Sequence, residues 1–357
     1  METTHDHRIV LTGIKPTGRL HLGNYLGMIR PALELARERR AFYFIADYHA
    51  LTTLRDPARL NRLIDEAAAT WLALGLDPEQ VVFYRQSAVP EIFELAWVLA
   101  CSAAKGLLNR AHAYKAAVEA NQSAGRDPDA EINAGLYNYP VLMAADILAF
   151  GTDQVPVGLD QVQHVEIARD IAAAFNHAFG AVLKLPQSLI RSDVETVTGL
   201  DGRKMSKSYG NEIPIMAPPE ALKRLVMRIV TDSRPPEAPK DPERCNVFSI
   251  YRHVAAPADI ERVRGLYLGG GLAYQRIKTE LGDLLAAHFA PARRRFDELM
   301  GDPGRIAGIL AQGAAKAREI AGRTLMQVRR AVGIEAGPPP GPALKSRSPA
   351  DRGGGAG

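Results

Sequence analysis

The sequence predicts an α/β domain built on a largely parallel sheet, followed by an all-helical half. Three observations carry that expectation. Short apolar runs alternate with helical patterns through the first half of the 357 residues, the order that builds parallel βα units. A turn rich in Gly, Pro and Thr joins the first strand candidate to the first helix candidate. From Pro219 onward strand signals fade, and apolar residues recur at helical spacing.

Taken in order, Arg8–Leu11 reads as the first strand and Asn24–Arg39 as the helix after it. Phe42–Ala46 is a second strand ending at Asp47. Ala58–Leu74 has helical spacing and begins at Asp56-Pro57. Val81–Tyr84 is a third strand and Glu91–Ala104 another helix. Ala120–Asp129 is polar and reads as an exposed loop. Pro140–Phe150 reads as a helix with Pro in its first turn, Val155–Val157 as a strand, and Asp160–Asn176 as a helix capped by Asp160. Gly199–Asn211 is a Gly- and Lys-rich loop. Ala221–Val230, Ala258–Leu266, Tyr274–Ala290, Pro291–Met300, Pro303–Leu310 and Ala314–Val332 all look helical. The expected division is 1–217 for the α/β domain and 218–336 for the helical domain. The Pro-, Gly- and Ser-rich stretch 337–357 buries too little apolar surface to order itself. Gly265–Gly271 is Gly-rich without a functional reason in the sequence.

Composition narrows the class. Hydrophobic residues make up 46% and charged residues 24%, ordinary for a globular chain. A net charge of +4 and a pI of about 9.0 permit a nucleic-acid partner without demanding one. The two cysteines, Cys101 and Cys245, have no metal-ligand spacing. They argue against a zinc site or a disulfide framework and fit a reducing compartment. Met1–Arg8 lacks an apolar signal core. No apolar run approaches the roughly 18–20 residues that span a bilayer. The expectation is a cytoplasmic protein with no membrane segment and no tightly bound metal.

Two stretches carry chemistry. Leu11–Gly27 is a strand, a turn with Gly13, Gly18 and Gly23, and a helix N-terminus. Free backbone N–H groups and the helix dipole make such a junction hospitable to an anion, although a tight turn without ligand has the same letters. The second stretch is Lys204-Met205-Ser206-Lys207-Ser208, with small hydroxyl residues around two lysines and with Gly202 and Gly210 as hinges. Alone it reads equally as a solvated basic loop. Together, the two stretches can hold both ends of a nucleoside triphosphate. Neither the Walker pattern nor the dinucleotide fingerprint is present.

Thr17-Gly18-Arg19-Leu20-His21-Leu22-Gly23-Asn24 resembles the HIGH signature of class I aminoacyl-tRNA synthetases, with Asn in the last place. Lys204–Ser208 matches their KMSKS signature letter for letter. The Gly-Asn-Tyr continuation looks like the tryptophanyl and tyrosyl subgroup, more like the former, and the resemblance runs from about Arg8 to Ile334. It implies a Rossmann-type sheet domain with an inserted helical dimerisation segment at about 105–180 and an anticodon-binding helical domain. The implied activity is ATP-dependent activation of L-tryptophan, then transfer to tRNA(Trp), by a homodimer. Gly13, Lys15, Pro16, Thr17, His21, Gly23 and Asn24 would bind ATP, Gly158, Leu159 and Asp160 its ribose, and Val197 its adenine. Lys204 and Lys207, with Met205, Ser206 and Ser208, would hold the triphosphate and stabilise the charge that builds on pyrophosphate, with Mg²⁺ sharing the load.

Tyr139, Met143, Asp146 and Phe150 fall at steps of four, three and four and share one helix face. Asp146 is then a carboxylate on an apolar face and needs a partner. It can belong to a structural salt bridge, turn to water at the helix end, or meet a ligand. In the resembled family the matching Asp accepts the indole N–H, a group that only donates. The resemblance also places His49 beside the amino acid, Gln161 on its amino group, and Val155, Val157 and Leu11 in the pocket. Two departures stand out: Lys15 occurs where many bacterial members carry Gln, and Leu11 where many carry Phe. A tyrosyl enzyme is the nearest alternative, followed by a HIGH-type nucleotidyltransferase without tRNA and a catalytically silent paralogue.

Overall fold

The computed structural model describes residues 6–158, 161–190 and 197–334. Among them five strands form one parallel sheet in the order β3-β2-β1-β4-β5. The strands are β1 (Asp6–Ile14), β2 (Arg39–Ile45), β3 (Val81–Arg85), β4 (Gln154–Val157) and β5 (Gln187–Ile190). Helices α1 (Leu22–Asn24) and α2 (Arg30–Leu35) flank a π-helical turn, Tyr25–Ile29, between β1 and β2. Then come α3 (Asp47–Ala50), α4 (Pro57–Ala73), α5 (Glu91–Ala100), α6 (Lys105–Leu108), α7 (His112–Ser123), α8 (Ala134–Leu148) and α9 (Val162–Phe179). The rest is helical: α10 (Pro219–Met227), α11 (Asn246–Tyr251), α12 (Pro257–Gly269), α13 (Tyr274–Met300) and α14 (Pro303–Ala331).

Strands β1 to β3 send alternate residues into cores on both faces of the sheet, whereas the edge strand β5 is partly exposed. Leu11, Phe42, Phe44 and Tyr84 point into one core with residues of α5, α8, α9 and α14. Their alternates, Val10, Ala41, Tyr43, Ile45, Val81 and Phe83, point into a second core with α4, Leu299, Ile306 and Leu310. A third core joins Leu22 and Leu26, just after the turn, to Val197, Met205 and helices α10 to α13. The helical half therefore contributes to all three cores. It comes close to β3 at Gly313, where a Cβ would stand 1.8 Å from the Phe83 carbonyl oxygen.

This topology sets the site. Leu11 pairs with Phe42 and Ile14 with Ile45, while Val10 pairs with Gln154 on the other side of β1. The strand order reverses between β1 and β4. The crevice outside the carboxyl ends of those two strands is where open α/β sheets take their ligands. Gly13 and Lys15 stand at one lip, and Val157 and Gly158 at the other.

Several expected boundaries are corrected. The first helix ends at Leu35, because Arg39 already begins β2. Gly13 lies within β1, where a Cβ would meet the Phe44 ring at 2.4 Å. Pro140 is inside α8 rather than in its first turn; the helix starts from Asn133, whose side chain accepts from Leu136 N. Part of the polar stretch after Ala120 continues α7 to Ser123. The N-cap of α9 is Gln161, without a side-chain cap bond, and Asp160 lies outside the described residues with Leu159. The span 105–180 is not wholly helical, since it supplies β4 to the central sheet. Pro291 does not break α13: it is exposed, and the Ala287 carbonyl it leaves unbonded is on an exposed residue too. The expected break near Gly313 is absent because that glycine fits against β3. The expected disordered stretch, 337–357, lies outside the described residues.

Candidate active site

The Gly-rich turn and the lysine loop meet. Lys207 Nζ donates to the Gly18 carbonyl at 2.8 Å, and Gly23 N donates to Met205 Sδ at 3.3 Å. Gly18 and Gly23 allow this approach: a Cβ on the first would lie 3.2 Å from Lys207 Cδ, and on the second 3.4 Å from Met205 Cβ. Met205 is buried in the third core, whereas Lys204 and Ser208 are exposed and Ser206 is half-buried. Burial of the Lys207 ammonium lowers its pKa. A cation held by one neutral carbonyl is poised to exchange that oxygen for a phosphate oxygen.

His21 and Asn24 form a reciprocal cap. Asn24 N donates to His21 Nδ1 at 3.3 Å, and His21 N donates to Asn24 Oδ1 at 3.1 Å. Burial, then the charge of Lys207, brings the His21 pKa down to about 4, so the ring is neutral and its Nδ1 can accept. These two side chains set the helix start, whose first N–H groups are bonded within the chain: Leu22 N donates to the Ile213 carbonyl at 2.9 Å and Tyr25 N to the His21 carbonyl at 3.1 Å. Pro16 is buried, and Thr17 N closes a tight turn onto the Lys15 carbonyl at 2.9 Å. Lys15 Nζ does not point at a carboxylate. It donates to Thr52 Oγ1 at 2.8 Å, and that hydroxyl donates to the His49 carbonyl at 2.8 Å. Burial lowers the Lys15 pKa.

Asp146 is fully buried and has its partners. Gln86 Nε2 donates to Oδ1 at 2.9 Å and to Oδ2 at 2.8 Å, and His49 Nε2 lies 3.0 Å from Oδ2. Burial raises the Asp146 pKa; the bonds from His49 and Gln86 oppose that rise. Gln86 is itself 0% exposed, and its Oε1 accepts from Tyr48 N at 3.1 Å. The residues on either side of it are held by Asp47, which accepts from Ser87 N at 3.0 Å and from Arg85 Nε at 2.5 Å. The same helix brings Tyr139, half-buried, to His164 Nε2 at 2.5 Å and edge-on to His49 at 6.4 Å between ring centroids. Met143 is half-buried. Phe150, on the predicted face, is just past the end of α8 and stacks on Phe42 at 4.7 Å.

Residues 3–263 match the family described as tRNA synthetases class I (W and Y). The tryptophan–tRNA ligase of Pseudomonas aeruginosa is 54% identical over 330 residues, covering 91% of this chain and 73% of that protein. The Neisseria meningitidis ligase of the same name is 48% identical, covering 91% of this chain and 97% of its own. Among solved structures, tryptophanyl-tRNA synthetase from Campylobacter jejuni, complexed with ADP and tryptophan, superposes with a TM-score of 0.83 at 42% identity, covering 91% of this chain and 99% of that one. The chain belongs to this family, among its bacterial tryptophan–tRNA ligases.

In this synthetase the predicted residues gather at two places. Lys207, Met205, Gly18, Gly23 and His21 make one contact, and Asp146, His49 and Tyr139 another. Lys15 reaches the second place through Thr52, whose hydroxyl donates to the His49 carbonyl. Val155 and Leu11 are buried in the core beneath, at 4% and 3% exposure. Val157 is half-buried, and Gly158 and Gln161 are exposed at the other lip. Val197 is 5% exposed, and its carbonyl accepts from Met205 N at 2.8 Å. Gln86, Thr52 and His164 were not singled out from the sequence. A polar residue directly after a buried strand was the available signal for Gln86.

Tyr84 adds an orphan to this region. It is fully buried against Phe44 and Phe150, and its hydroxyl has no hydrogen-bond partner among the described residues. Burial, then the Asp146 charge, raises its pKa well above the ordinary value.

Proposed function

We propose that Asp146 accepts the indole N–H of L-tryptophan and that the two loops hold MgATP across the crevice. The observation that carries the reading is the buried carboxylate, oriented by Gln86 and His49. A fixed acceptor matches a group that can only donate. Tyr139, Met143, Val155, Val157 and Leu11 would line the amino-acid side, with Gln161 near the amino group. The backbone around Gly13, Pro16, Thr17, Gly23 and Asn24 would receive ATP, with Gly158, Leu159, Asp160 and Val197 toward the nucleoside.

The chemistry follows from placement. The tryptophan carboxylate attacks the α-phosphorus, an aminoacyl-adenylate forms, and pyrophosphate leaves. Lys204 and Lys207 offer charge where the leaving group becomes negative. Among the described residues no three His, Cys, Asp or Glu side chains come together as a metal cage. Magnesium would enter on the triphosphate as part of the substrate, bound mainly by its oxygens. A hydroxyl of the terminal ribose of tRNA(Trp) then attacks the acyl carbon, the anhydride bond breaks and AMP leaves.

The helical half would meet the tRNA. Arg294 and Arg295 are exposed on α13, whereas Arg329 is committed to Glu94 at 2.5 Å. A homodimer is supported by Phe93 and Trp97, one helical turn apart on α5 and 55% and 72% exposed, since adjacent large apolar side chains in water favour a partner. No helix among the described residues is long and apolar enough to cross a membrane, and we place the enzyme in the cytoplasm on its activity.

The residue roles are tested by tryptophan-dependent ATP–pyrophosphate exchange in two variants. Asp146→Asn should raise the tryptophan KM with the ATP KM kept. Lys207→Ala should lower kcat with the tryptophan KM kept. If both variants lose the same parameter, the two halves of the site have been assigned wrongly.

A further inference from the structure

The lysine loop is held by a side chain outside both signature stretches. Asn211 is 3% exposed. Its Oδ1 accepts from Ser206 N at 2.8 Å; its Nδ2 donates to Asp201 Oδ1 at 2.7 Å and to the Lys204 carbonyl at 3.2 Å. Its own carbonyl accepts from Leu200 N at 2.9 Å. One amide therefore grips the loop backbone at Lys204 and at Ser206, on either side of Met205 and immediately before Lys207. A glycine opposite makes room: a Cβ at Gly199 would stand 2.3 Å from Asn211 Nδ2.

The grip extends outward. Asp201 also accepts from Arg203 Nε at 2.7 Å, and the Arg203 guanidinium lies 4.3 Å from the centre of the Tyr209 ring. The bond from Asn211, before those from Arg203, holds the Asp201 carboxyl down at about 2. The chain Asn211, Asp201, Arg203, Tyr209 thus encircles the segment that carries both lysines. Such a fully bonded buried amide specifies one backbone path, whereas exposed Lys–Ser sequences do not specify one themselves.

We infer that Asn211 is a positioning residue for adenylate formation: it fixes the turn at Lys204–Ser206 that aims Lys207 toward Gly18 and the phosphate site. This rests on the proposed role of Lys207. Asn211 touches no substrate in this account and acts through the lysine.

The test is a double-mutant cycle in pyrophosphate exchange on the full chain: wild type, Asn211→Ala, Lys207→Ala and the double variant. Asn211→Ala should slow kcat by about 10–100-fold, below the full loss of a transition-state donor, with the tryptophan KM unchanged. The double variant should be no slower than Lys207→Ala, since a positioned group already absent cannot be lost again. Multiplying losses, a wild-type rate in Asn211→Ala, or a tryptophan KM that rises in step with kcat loss overturns the inference. A near wild-type Lys207→Ala would instead overturn the role of the lysine. Should Asn211→Ala not fold, Asp201→Ala carries the test, because that side chain is only partly buried. It should slow kcat several-fold with the tryptophan KM kept, and an unchanged kcat refutes the positioning chain.

Discussion

Replacing Gln86 by Leu keeps most of the side-chain volume and removes the two hydrogen bonds that its Nε2 donates to Asp146, leaving His49 Nε2 beside Oδ2. A hydrogen bond to a buried charge is worth about 1.5–3 kcal/mol. Losing these bonds disfavours the ionised form, so the Asp146 midpoint should move up. The sign has two consequences. Burial already raises the Asp146 pKa in the folded protein. Its contribution to stability is therefore complete below the unfolded value and is lost as pH rises through the folded value. In the proposed role, tryptophan binding runs the other way, because the ionised carboxyl is the stronger acceptor for the indole N–H, so affinity falls as pH drops through the same midpoint. In Gln86→Leu the acid limb of the tryptophan KM profile should move to higher pH, and KM at neutral pH should rise. Stopped-flow or exchange kinetics across pH, with thermal unfolding alongside, reads both. A KM profile that coincides with wild type would refute the claim that Gln86 keeps Asp146 charged.

Other outcomes follow from the same contacts. Lys207→Ala should slow adenylate formation by about 10²–10³-fold, the scale of one lost transition-state donor, measured by pyrophosphate exchange; a rate near wild type would make the loop ordinary basic surface. His21, with its pKa depressed to about 4, should stay neutral at pH 6 in heteronuclear NMR. Its contribution to stability is full above the unfolded value near 6.5 and is lost as pH falls toward 4; a midpoint near 6.5 contradicts the buried cap. Gly313→Ala should destabilise the protein by at least about 2 kcal/mol, an overpacking cost, because its Cβ meets the Phe83 carbonyl rather than a side chain. An unchanged melting temperature would contradict the packing of α14 on β3.

Much of this was legible from local pattern. The three first strands are runs of apolar residues between turn signals, and both signature loops are written in contiguous letters. The π-helical turn, the uninterrupted α13 and the uninterrupted α14 were not legible, because Pro291 and Gly313 are breakers by propensity and become acceptable through what they face. β5, Gln-Ser-Leu-Ile, is too short and polar to announce a strand; it exists because Gln154–Val157 offers it an edge. Gly265–Gly271 gained a reason only from tertiary structure. Gly270 has φ +78° and a Cβ there would stand 2.4 Å from the Glu237 carbonyl oxygen, while Gly271 N donates to the Pro236 carbonyl at 2.8 Å. This closes the end of α12 onto a loop whose buried Lys240 ammonium donates to the carbonyls of Pro235, Pro236 and Ala238.

At the site, the need of Asp146 for a partner could be stated from sequence, and the identity of that partner could not. Gln86 and His49 come from different strand ends and meet Asp146 only because β2 and β3 are neighbours. Lys15 is the opposite case. The letter suggested a charge beside ATP, and the structure turns its ammonium toward Thr52 and the amino-acid side. Asn211 carries no motif in the signature itself, and its bonds depend on the loop folding back over Gly199.

The proposed function places tryptophan activation in the crevice between β1 and β4, with Asp146 selecting the substrate. ATP–pyrophosphate exchange with each of the twenty amino acids tests it most directly. Exchange with tryptophan alone is the expected result. Exchange with tyrosine, or with none of the twenty, would contradict it.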